Sequence, residues 1–214
     1  MKKLAIFDFD GTLVDSVHDV IICFNEALTF HDFPTLTREE YLDCLGGNID
    51  EIMSLILKEN STAENIEMLR KTYEKIYYGS KNDLTCPFPG VHDLLKSLQD
   101  NEVLLAINSN RKNDSLQVYA ERFFSDIDFL AIEGHNQDYP SKPSPYAVQR
   151  IIEKCNVAKD ECIYIGDSIT DIRTAQNAEI DCLLVSWGYG RDDAFQSEYP
   201  LDVVDDASDI LKYF

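Results

Sequence analysis

The residues of this sequence best suited to chemistry are two acids that stand directly after a short apolar run. Asp8 and Asp10 follow the run 4–7, with Gly11 and Thr12 directly behind them. An apolar run of this length is typical of a buried strand. Carboxylates this close together at a strand end repel each other and are poorly solvated. A divalent cation would relieve the repulsion, and Mg²⁺ prefers carboxylate and water ligands. The pair therefore indicates a magnesium site, although exposed acids in a turn would explain it if it stood alone.

A second pair of acids follows the apolar run 162–165. Asp167 and Asp171 lie four positions apart beside a glycine in the stretch GDSITDI. By itself, Asp171 is explained as an acid in the first turn of a helix, where it offsets the helix dipole. The combination of two acids and a glycine turn at a strand end favours a functional site instead.

Further polar groups stand after another apolar run and in a proline-bounded segment. Ser109 and Asn110 end the run 103–107, and Lys142 lies in the segment 140–144 between two prolines that stiffen it. Taken singly, Ser109 is explained as a helix cap and Lys142 as a solvated loop residue. Their order along the chain relative to the acids favours a shared site.

The elements that must position these groups alternate between strand and helix from residue 91 onward. Strand patterns occupy 103–107, 129–132, 162–165 and 182–185, and helical patterns occupy 91–98, 111–122, 144–155, 169–177 and 207–213. This alternation predicts an α/β fold with a parallel sheet covered on both faces. Because ligands bind beyond the carboxyl ends of the strands in such sheets, the polar groups should meet at one edge.

A helical segment interrupts this pattern. Residues 16–85 show helical spacing of apolar residues and no convincing strand, and two prolines and a glycine in 86–90 punctuate its end. We therefore expect two domains: an α/β core of residues 1–15 and 86–214, and a helical domain of residues 16–85.

The motifs in this order resemble those of the haloacid dehalogenase superfamily. The stretch DFDGTLVDS resembles its first motif, DxDGTLxDS, and Ser109, the Lys142-Pro pair and GDSxxD stand in the order of the other three. The resemblance covers the whole chain. It implies a Rossmann-like parallel sheet core with a small all-α cap inserted after the first strand. It also implies Mg²⁺-dependent phosphoryl transfer.

The resemblance implies roles residue by residue. Asp8 would be the nucleophile that attacks phosphorus, and Asp10 would protonate the leaving oxygen and later deprotonate water. The implied metal ligands are Asp8, Asp10 through its carbonyl, Asp167 and Asp171. Asp171 would alternatively orient Lys142. The implied phosphate-binding residues are Gly11, Thr12, Ser109, Asn110 and Lys142. Members that dehalogenate carbon lack the second Asp, so Asp10 favours a phosphate substrate.

The cap resembles that of phosphoglycolate phosphatase-like and β-phosphoglucomutase-like members. Its loop Gly46, Gly47 and Asn48 falls where such caps reach the substrate, although a plain helix–helix turn explains it equally well. Residues 186–190, SWGYG, also resemble the phosphoglycolate phosphatase-like branch, while Trp187 itself is expected to cover the sheet edge. We therefore expect a phosphatase acting on small phosphomonoesters.

Three other functions stay open as alternatives. A β-phosphoglucomutase carries a Gly-x-x-Arg element in its cap, and here no Arg follows Gly46 and Gly47. A phosphonatase needs a lysine early in the cap, and none stands there. A non-catalytic regulatory or binding protein is disfavoured because the motif set is intact. Phosphoglycolate, a sugar phosphate, a nucleoside monophosphate and pyrophosphate all stay open as substrates.

Composition limits the partners. The 214 residues are 44% hydrophobic and 27% charged, as in ordinary soluble proteins, and carry a net charge of −20. This charge argues against nucleic-acid polymers and anionic membranes, and no apolar run is long enough to span a membrane. Six scattered cysteines predict reduced, mostly buried thiols in a cytoplasmic protein without a zinc site. We expect a monomer or weak homodimer that acts on a small phosphorylated metabolite.

Overall fold

The structure is a computed structural model that describes every residue from Met1 to Phe214. The chain divides into two compact units. One unit comprises Met1–Asp15 and Pro87–Phe214, and the other comprises Ser16–Cys86. The second unit is thus an insertion into the chain of the first.

Eight strands occur, and six of them form one parallel sheet. The strands are β1 (Leu4–Phe7), β2 (Val14–Asp15), β3 (Cys86–Pro87), β4 (Leu104–Lys112), β5 (Phe129–His135), β6 (Cys162–Gly166), β7 (Asp181–Val185) and β8 (Asp202–Val204). The sheet order is β5-β4-β1-β6-β7-β8, and all of its strand pairs are parallel. This confirms the predicted α/β class with a Rossmann-like parallel sheet.

Helices connect the strands and build the inserted unit. They are α1 (Val17–Phe30), α2 (Arg38–Leu42), α3 (Ile49–Leu57), α4 (Ala63–Gly79), α5 (Val91–Asp100), α6 (Asn113–Phe124), α7 (Tyr146–Cys155), α8 (Ile169–Ala178) and α9 (Asp192–Phe195). Short 3-10 helices occupy Lys58–Asn60, Lys159–Glu161 and Ala207–Tyr213. None of the helices is both long enough and apolar enough to span a membrane.

The central strand of the sheet is buried on both faces. Leu4 and Ile6 of β1 join Tyr164 of β6 in a core cluster with residues of α7 and α8. Because side chains alternate along a strand, Ala5 and Phe7 point to the opposite face, where they are also buried. An uninterrupted apolar run is what such a strand requires, since no side chain of it meets water.

The register of the sheet aligns the last residue of β1 with positions in its two neighbouring strands, β4 and β6. Phe7 in β1 stands beside Ile107 of β4 and Ile165 of β6. The backbone N–H of Asp8 still donates to the carbonyl of Ile165, at 2.9 Å. Because the strands run in the same direction, the residues that follow these positions reach the same edge of the sheet.

The inserted unit has its own core. Phe24 of α1 stacks against Tyr41 and Tyr73, with ring centroids 5.8 and 4.1 Å apart. At the ends of the unit, the buried carboxylate of Asp19 accepts from both the N–H and the hydroxyl of Thr85, each at 2.7 Å. These bonds hold the first turn of α1 beside the segment that closes the unit.

Three details differ from the sequence patterns. Strand β4 extends to Lys112 instead of ending at residue 107, with an irregular register between Asn108 and Lys112. The extension consists of polar residues, so it lacks the apolar run by which a buried strand is recognised in the sequence. Strand β8 is an edge strand with exposed Asp202, so it also lacks that signal. The terminal helix at Ala207–Tyr213 is a 3-10 helix.

The cysteines are less buried than predicted. All six thiols are free, but only Cys23, Cys162 and Cys182 are buried. Cys86 is exposed at the end of the inserted unit, where no core covers it.

Candidate active site

Three buried carboxylates gather at the predicted edge of the sheet. Asp8 follows β1, Asp167 follows β6, and Asp171 lies in the first turn of α8. One carboxylate oxygen from each lies within 4.8 Å of the others. Carboxylate oxygens are hard ligands, so this donor set fits a divalent cation such as Mg²⁺.

Lys142 is the buried cation of this cluster. Its Nζ lies 2.7 Å from Asp8 Oδ1 and 2.7 Å from Asp171 Oδ1. The side chain of Asn110 holds the backbone of Lys142, because its Oδ1 accepts from the Lys142 N–H at 2.8 Å and its Nδ2 donates to the Lys142 carbonyl at 3.3 Å. Asn110 thereby positions the lysine across a separation of 32 residues.

Asp171 is held by hydrogen bonds on both oxygens. Its Oδ2 accepts from the Ser168 hydroxyl at 2.6 Å, the Ser168 N–H at 3.0 Å and the Asp167 N–H at 3.2 Å. Its Oδ1 accepts from Lys142. A Cβ on Gly166 would lie 2.4 Å from this side chain, so only glycine leaves room for it. Asp171 is therefore arranged to orient Lys142.

Asp167 is held by two segments distant in sequence. Its Oδ1 accepts from the Thr12 hydroxyl at 3.2 Å, and its Oδ2 accepts from the Tyr189 N–H at 2.7 Å. The Tyr189 hydroxyl in turn donates to Asp15 Oδ1 at 2.8 Å. The loop of residues 186–190 is thus part of the support of the acid cluster.

Glycines allow this loop to approach the cluster. A Cβ on Gly188 would lie 2.3 Å from both Asp167 Cβ and the Gly11 carbonyl oxygen. Gly11 itself has a φ of +89° and would place a Cβ 2.5 Å from Asp167 Oδ2. Trp187 donates from Nε1 to the Thr12 carbonyl at 3.1 Å. The indole therefore ties the loop to the segment that follows Asp10.

Burial shapes the protonation of the cluster. Burial and the charge of Asp171 raise the pKa of Asp8 well above its usual range, and the same causes raise the pKa of Asp167 to about 7. Burial by itself lowers the pKa of Lys142, but the carboxylates of Asp171 and Asp8 raise it well above its usual value. The lysine is therefore charged at neutral pH, while the acids favour a further positive charge beside them.

The carboxylate of Asp10 lies outside this cluster. It forms a two-point ion pair with Arg111, in which Nε donates to Oδ2 at 2.9 Å and Nη2 donates to Oδ1. The sequence patterns missed Arg111, because an arginine at the expected start of a helix is ordinarily solvated. The extension of β4 is what turns it toward the site.

The other predicted phosphate ligands lie nearby. Ser109 is buried, and its Oγ accepts from the Arg111 N–H at 3.1 Å. The Gly11 N–H donates to the Val14 carbonyl at 2.9 Å, and Thr12 donates to Asp167. Thr12 therefore lies at the acid cluster, and Ser109 lines the same cleft as Lys142.

The predicted cap loop is explained by helix capping. Asn48 is the N-cap of α3, and its Oδ1 accepts from the N–H groups of Asp50 and Glu51, both at 3.1 Å. Gly46 has a φ of +112°, and a Cβ on Gly47 would lie 2.6 Å from Glu51 Oε2. Their role in substrate contact stays a prediction.

Comparisons with known proteins agree with the geometry of the site. The family described as haloacid dehalogenase-like hydrolase matches residues 5–185. A phosphoglycolate phosphatase of Aliivibrio fischeri is 28% identical over 217 residues, covering 99% of this chain and 94% of the relative. The phosphoglycolate phosphatase of Vibrio cholerae is 27% identical over 222 residues, covering 98% and 96%.

Solved structures match over the full length. A protein from Lactobacillus delbrueckii subsp. bulgaricus, assigned as a phosphoglycolate phosphatase, has a TM-score of 0.91 at 28% identity and covers 100% of this chain and 98% of its own. A haloacid dehalogenase-like family hydrolase from Streptococcus pneumoniae has a TM-score of 0.88 at 21% identity, which shows the shared fold. With the family matched over most of the chain and its acids and lysine gathered at one sheet edge, the chain belongs to the haloacid dehalogenase-like hydrolases.

Proposed function

We propose that this hydrolase is a Mg²⁺-dependent phosphatase that cleaves small phosphomonoesters through an aspartyl-phosphate on Asp8. The observation that carries the proposal is the buried pairing of Asp8 with Lys142 beside Asp167. Asp8 is a carboxylate nucleophile beside a fixed cation, Lys142. The acids around it outnumber the cations, so the site also suits the Mg²⁺ that accompanies a negatively charged phosphoryl group.

Asp8 and Asp167 would hold Mg²⁺ through their carboxylates, with the Asp10 carbonyl as a further ligand. The donors fit because these two carboxylates are buried, and burial together with the charge of Asp171 raises the pKa of each. Asp171 serves mainly to orient Lys142, since hydrogen bonds engage both of its oxygens. When bound, the metal neutralises charge on the transferring phosphoryl group.

The residues of the chain divide the reaction into two steps. Asp8 attacks phosphorus, the bond to the ester oxygen breaks, and Asp10 gives that oxygen its proton. Asp10 then takes a proton from water, the water oxygen attacks phosphorus, and inorganic phosphate leaves with Asp8 restored. Lys142, Ser109 and Thr12 would hold the phosphoryl oxygens during both steps.

Small, phosphoglycolate-like phosphomonoesters are the proposed substrates. The two relatives described above match this chain over nearly their whole lengths, and both are named phosphoglycolate phosphatases. The helical unit Ser16–Cys86 would act as the cap that encloses the substrate, with Gly46, Gly47 and Asn48 in contact with it.

A substrate panel tests the proposal. The purified protein with Mg²⁺ is assayed for phosphate release from 2-phosphoglycolate, ribose 5-phosphate, a nucleoside monophosphate, pyrophosphate and β-glucose 1-phosphate. We expect the highest kcat/KM for a small phosphomonoester, with loss of activity in excess chelator. A protein that hydrolyses none of them, or that converts β-glucose 1-phosphate to glucose 6-phosphate faster than it releases phosphate, contradicts the proposal.

Asp8→Asn is the matched variant for the panel. The amide has almost the same shape but is a poor nucleophile, so we expect turnover to fall about 10⁴-fold or more, as for other catalytic nucleophiles. The fold should persist, because removing one of three crowded carboxylates relieves repulsion. Asp100→Asn, at an exposed helix end, is the control for the charge change. Undiminished hydrolysis by a homogeneous Asp8→Asn sample would refute the covalent step.

A further inference from the structure

Arg111 forms a two-point ion pair with the Asp10 carboxylate. Its Nε and Nη2 each donate to a different oxygen of Asp10. The arginine side chain is only 7% exposed, while that of Asp10 is 28% exposed. The ion pair therefore engages both oxygens of an acid that stays partly exposed.

The guanidinium is itself held from three sides. It lies over the ring of Tyr119 at 4.7 Å and near the ring of Phe9 at 5.9 Å. Its third nitrogen, Nη1, donates to Ser115 Oγ at 3.2 Å. An arginine stacked and bonded in this way loses little freedom when it binds a carboxylate, and its planar fork fixes the orientation of both carboxylate oxygens.

We propose that Arg111 is a positioning residue that keeps the Asp10 carboxylate apart from the acid cluster and aims it for proton transfer. A bound cation would attract any acid close enough to reach it. Asp10 stands two residues after Asp8, which belongs to the acid cluster, so its carboxylate would compete for the same ion if it turned toward the cluster. A carboxylate oxygen that binds a metal is a poor proton carrier, whereas Arg111 places one donor on each Asp10 oxygen and leaves each a second lone pair for a proton. The inference rests on the proposed acid–base role of Asp10.

The choice of leaving group tests this role. A p-nitrophenolate leaving group needs no proton, whereas an alkoxide from glycerol 3-phosphate does. Since kcat/KM reports the steps up to phosphorylation of Asp8, Arg111→Met should lower it about 100-fold for the alkyl ester and less than about 10-fold for p-nitrophenyl phosphate. Arg111→Lys should recover part of the alkyl activity, and KM should change little.

Two comparisons separate positioning from a structural effect. Arg122→Met removes the same charge beside the same Tyr119 ring, at 5.9 Å, but from α6 instead of from β4, so it should stay within about twofold of the wild type. In an Asp10→Asn background, assayed by single turnover on p-nitrophenyl phosphate, Arg111→Met should add less than about threefold, because Arg111 acts through Asp10.

The outcomes are distinct. Equal losses on both esters, or full additivity with Asp10→Asn, would overturn the role of Arg111 while leaving the phosphatase itself intact. If the wild type with Mg²⁺ hydrolyses neither these two esters nor any compound of the substrate panel, the proposed function fails and the inference falls with it. Arg111→Met should lower the melting temperature in chelator, because a largely buried ion pair is lost, and should keep or increase the rise on adding Mg²⁺, because Asp10 is freed to bind the ion. Loss of the Mg²⁺-induced rise would assign the kinetic defect to damage of the acid cluster and overturn the positioning role.

Discussion

At the scale of residues, the protein concentrates buried acids around a single buried lysine. Asp8 and Asp171 share the Nζ of Lys142, while Asp167 receives only neutral donors, from Thr12 and Tyr189. Asp167 is therefore an acid of the cluster that no lysine contacts directly. Burial and the charge of Asp171 raise its pKa to about 7.

The raised pKa predicts a pH-dependent response to Mg²⁺. Folded Asp167 holds its proton more tightly than an unfolded aspartate, whose pKa is about 3.9. In chelator, the stability from this group is present below that value and is lost as pH rises through about 7. Because Mg²⁺ binding releases the proton, the Mg²⁺-induced rise in melting temperature should increase from pH 6 to pH 8.

Thermal melts in chelator and in Mg²⁺ at pH 6, 7 and 8 measure this response. Asp167→Asn removes the titrating group, so it should abolish most of the Mg²⁺-induced rise and flatten its pH dependence. Asp100→Asn should leave both unchanged, since that acid is exposed. A Mg²⁺ effect that shrinks as pH rises would contradict the prediction.

At the scale of elements, β1 and β6 deliver the acids, and the loop of residues 186–190 holds them in place. This loop follows β7 and reaches back to Thr12 and Asp167. Its glycines let the backbone pass against the Asp167 side chain at distances that no Cβ tolerates. The acid cluster thus depends on the loop of residues 186–190, although this loop contributes none of the acids.

Gly188→Ala should therefore damage the site. Its Cβ would meet Asp167 Cβ and the Gly11 carbonyl, each at 2.3 Å, and backbone cannot yield cheaply. We expect a loss of about 1–3 kcal/mol of stability, as for other overpacked sites, and at least a 10-fold weaker half-saturation by Mg²⁺.

Gly79→Ala is the matched control for this change. It makes the same substitution at the end of α4, where a Cβ meets nothing within 4 Å. Chemical denaturation and Mg²⁺ titration of activity measure both effects. If the two alanine variants behave alike, the loop does not support Asp167.

At the scale of the whole molecule, the net charge of −20 opposes an anionic substrate and attracts a divalent cation. Added salt screens both interactions. With saturating Mg²⁺, kcat/KM for a phosphomonoester should rise about two- to fivefold between 20 and 150 mM KCl. The Mg²⁺ concentration for half activity should rise over the same range, because its attraction weakens.

Opposite effects of salt on the two ligands are the test. Steady-state rates at several KCl concentrations give both quantities, and repeating them with sodium acetate at equal ionic strength excludes a specific ion effect. A fall in kcat/KM with added salt, at constant Mg²⁺ saturation, would show that local cations outweigh the net charge.

The sequence by itself determined the fold class and the meeting place of the acids. Strand and helix patterns are local, and the parallel sheet then brings the residues after β1 and β6 and the polar end of β4 to one edge, because the register of the three strands aligns. Asp8 and Asp167 could be predicted at that edge for this reason. The roles assigned to them rested on the resemblance to a known family and stay proposals.

Only the tertiary structure decided which side chains hold the site together. Arg111 meets Asp10 across 101 residues, Lys142 meets Asn110 across 32, and Tyr189 meets Asp167 across 22. None of these pairs has a local spacing that a pattern could reveal. Each depends on the irregular end of β4 or on glycine contacts that only close packing between distant segments can specify.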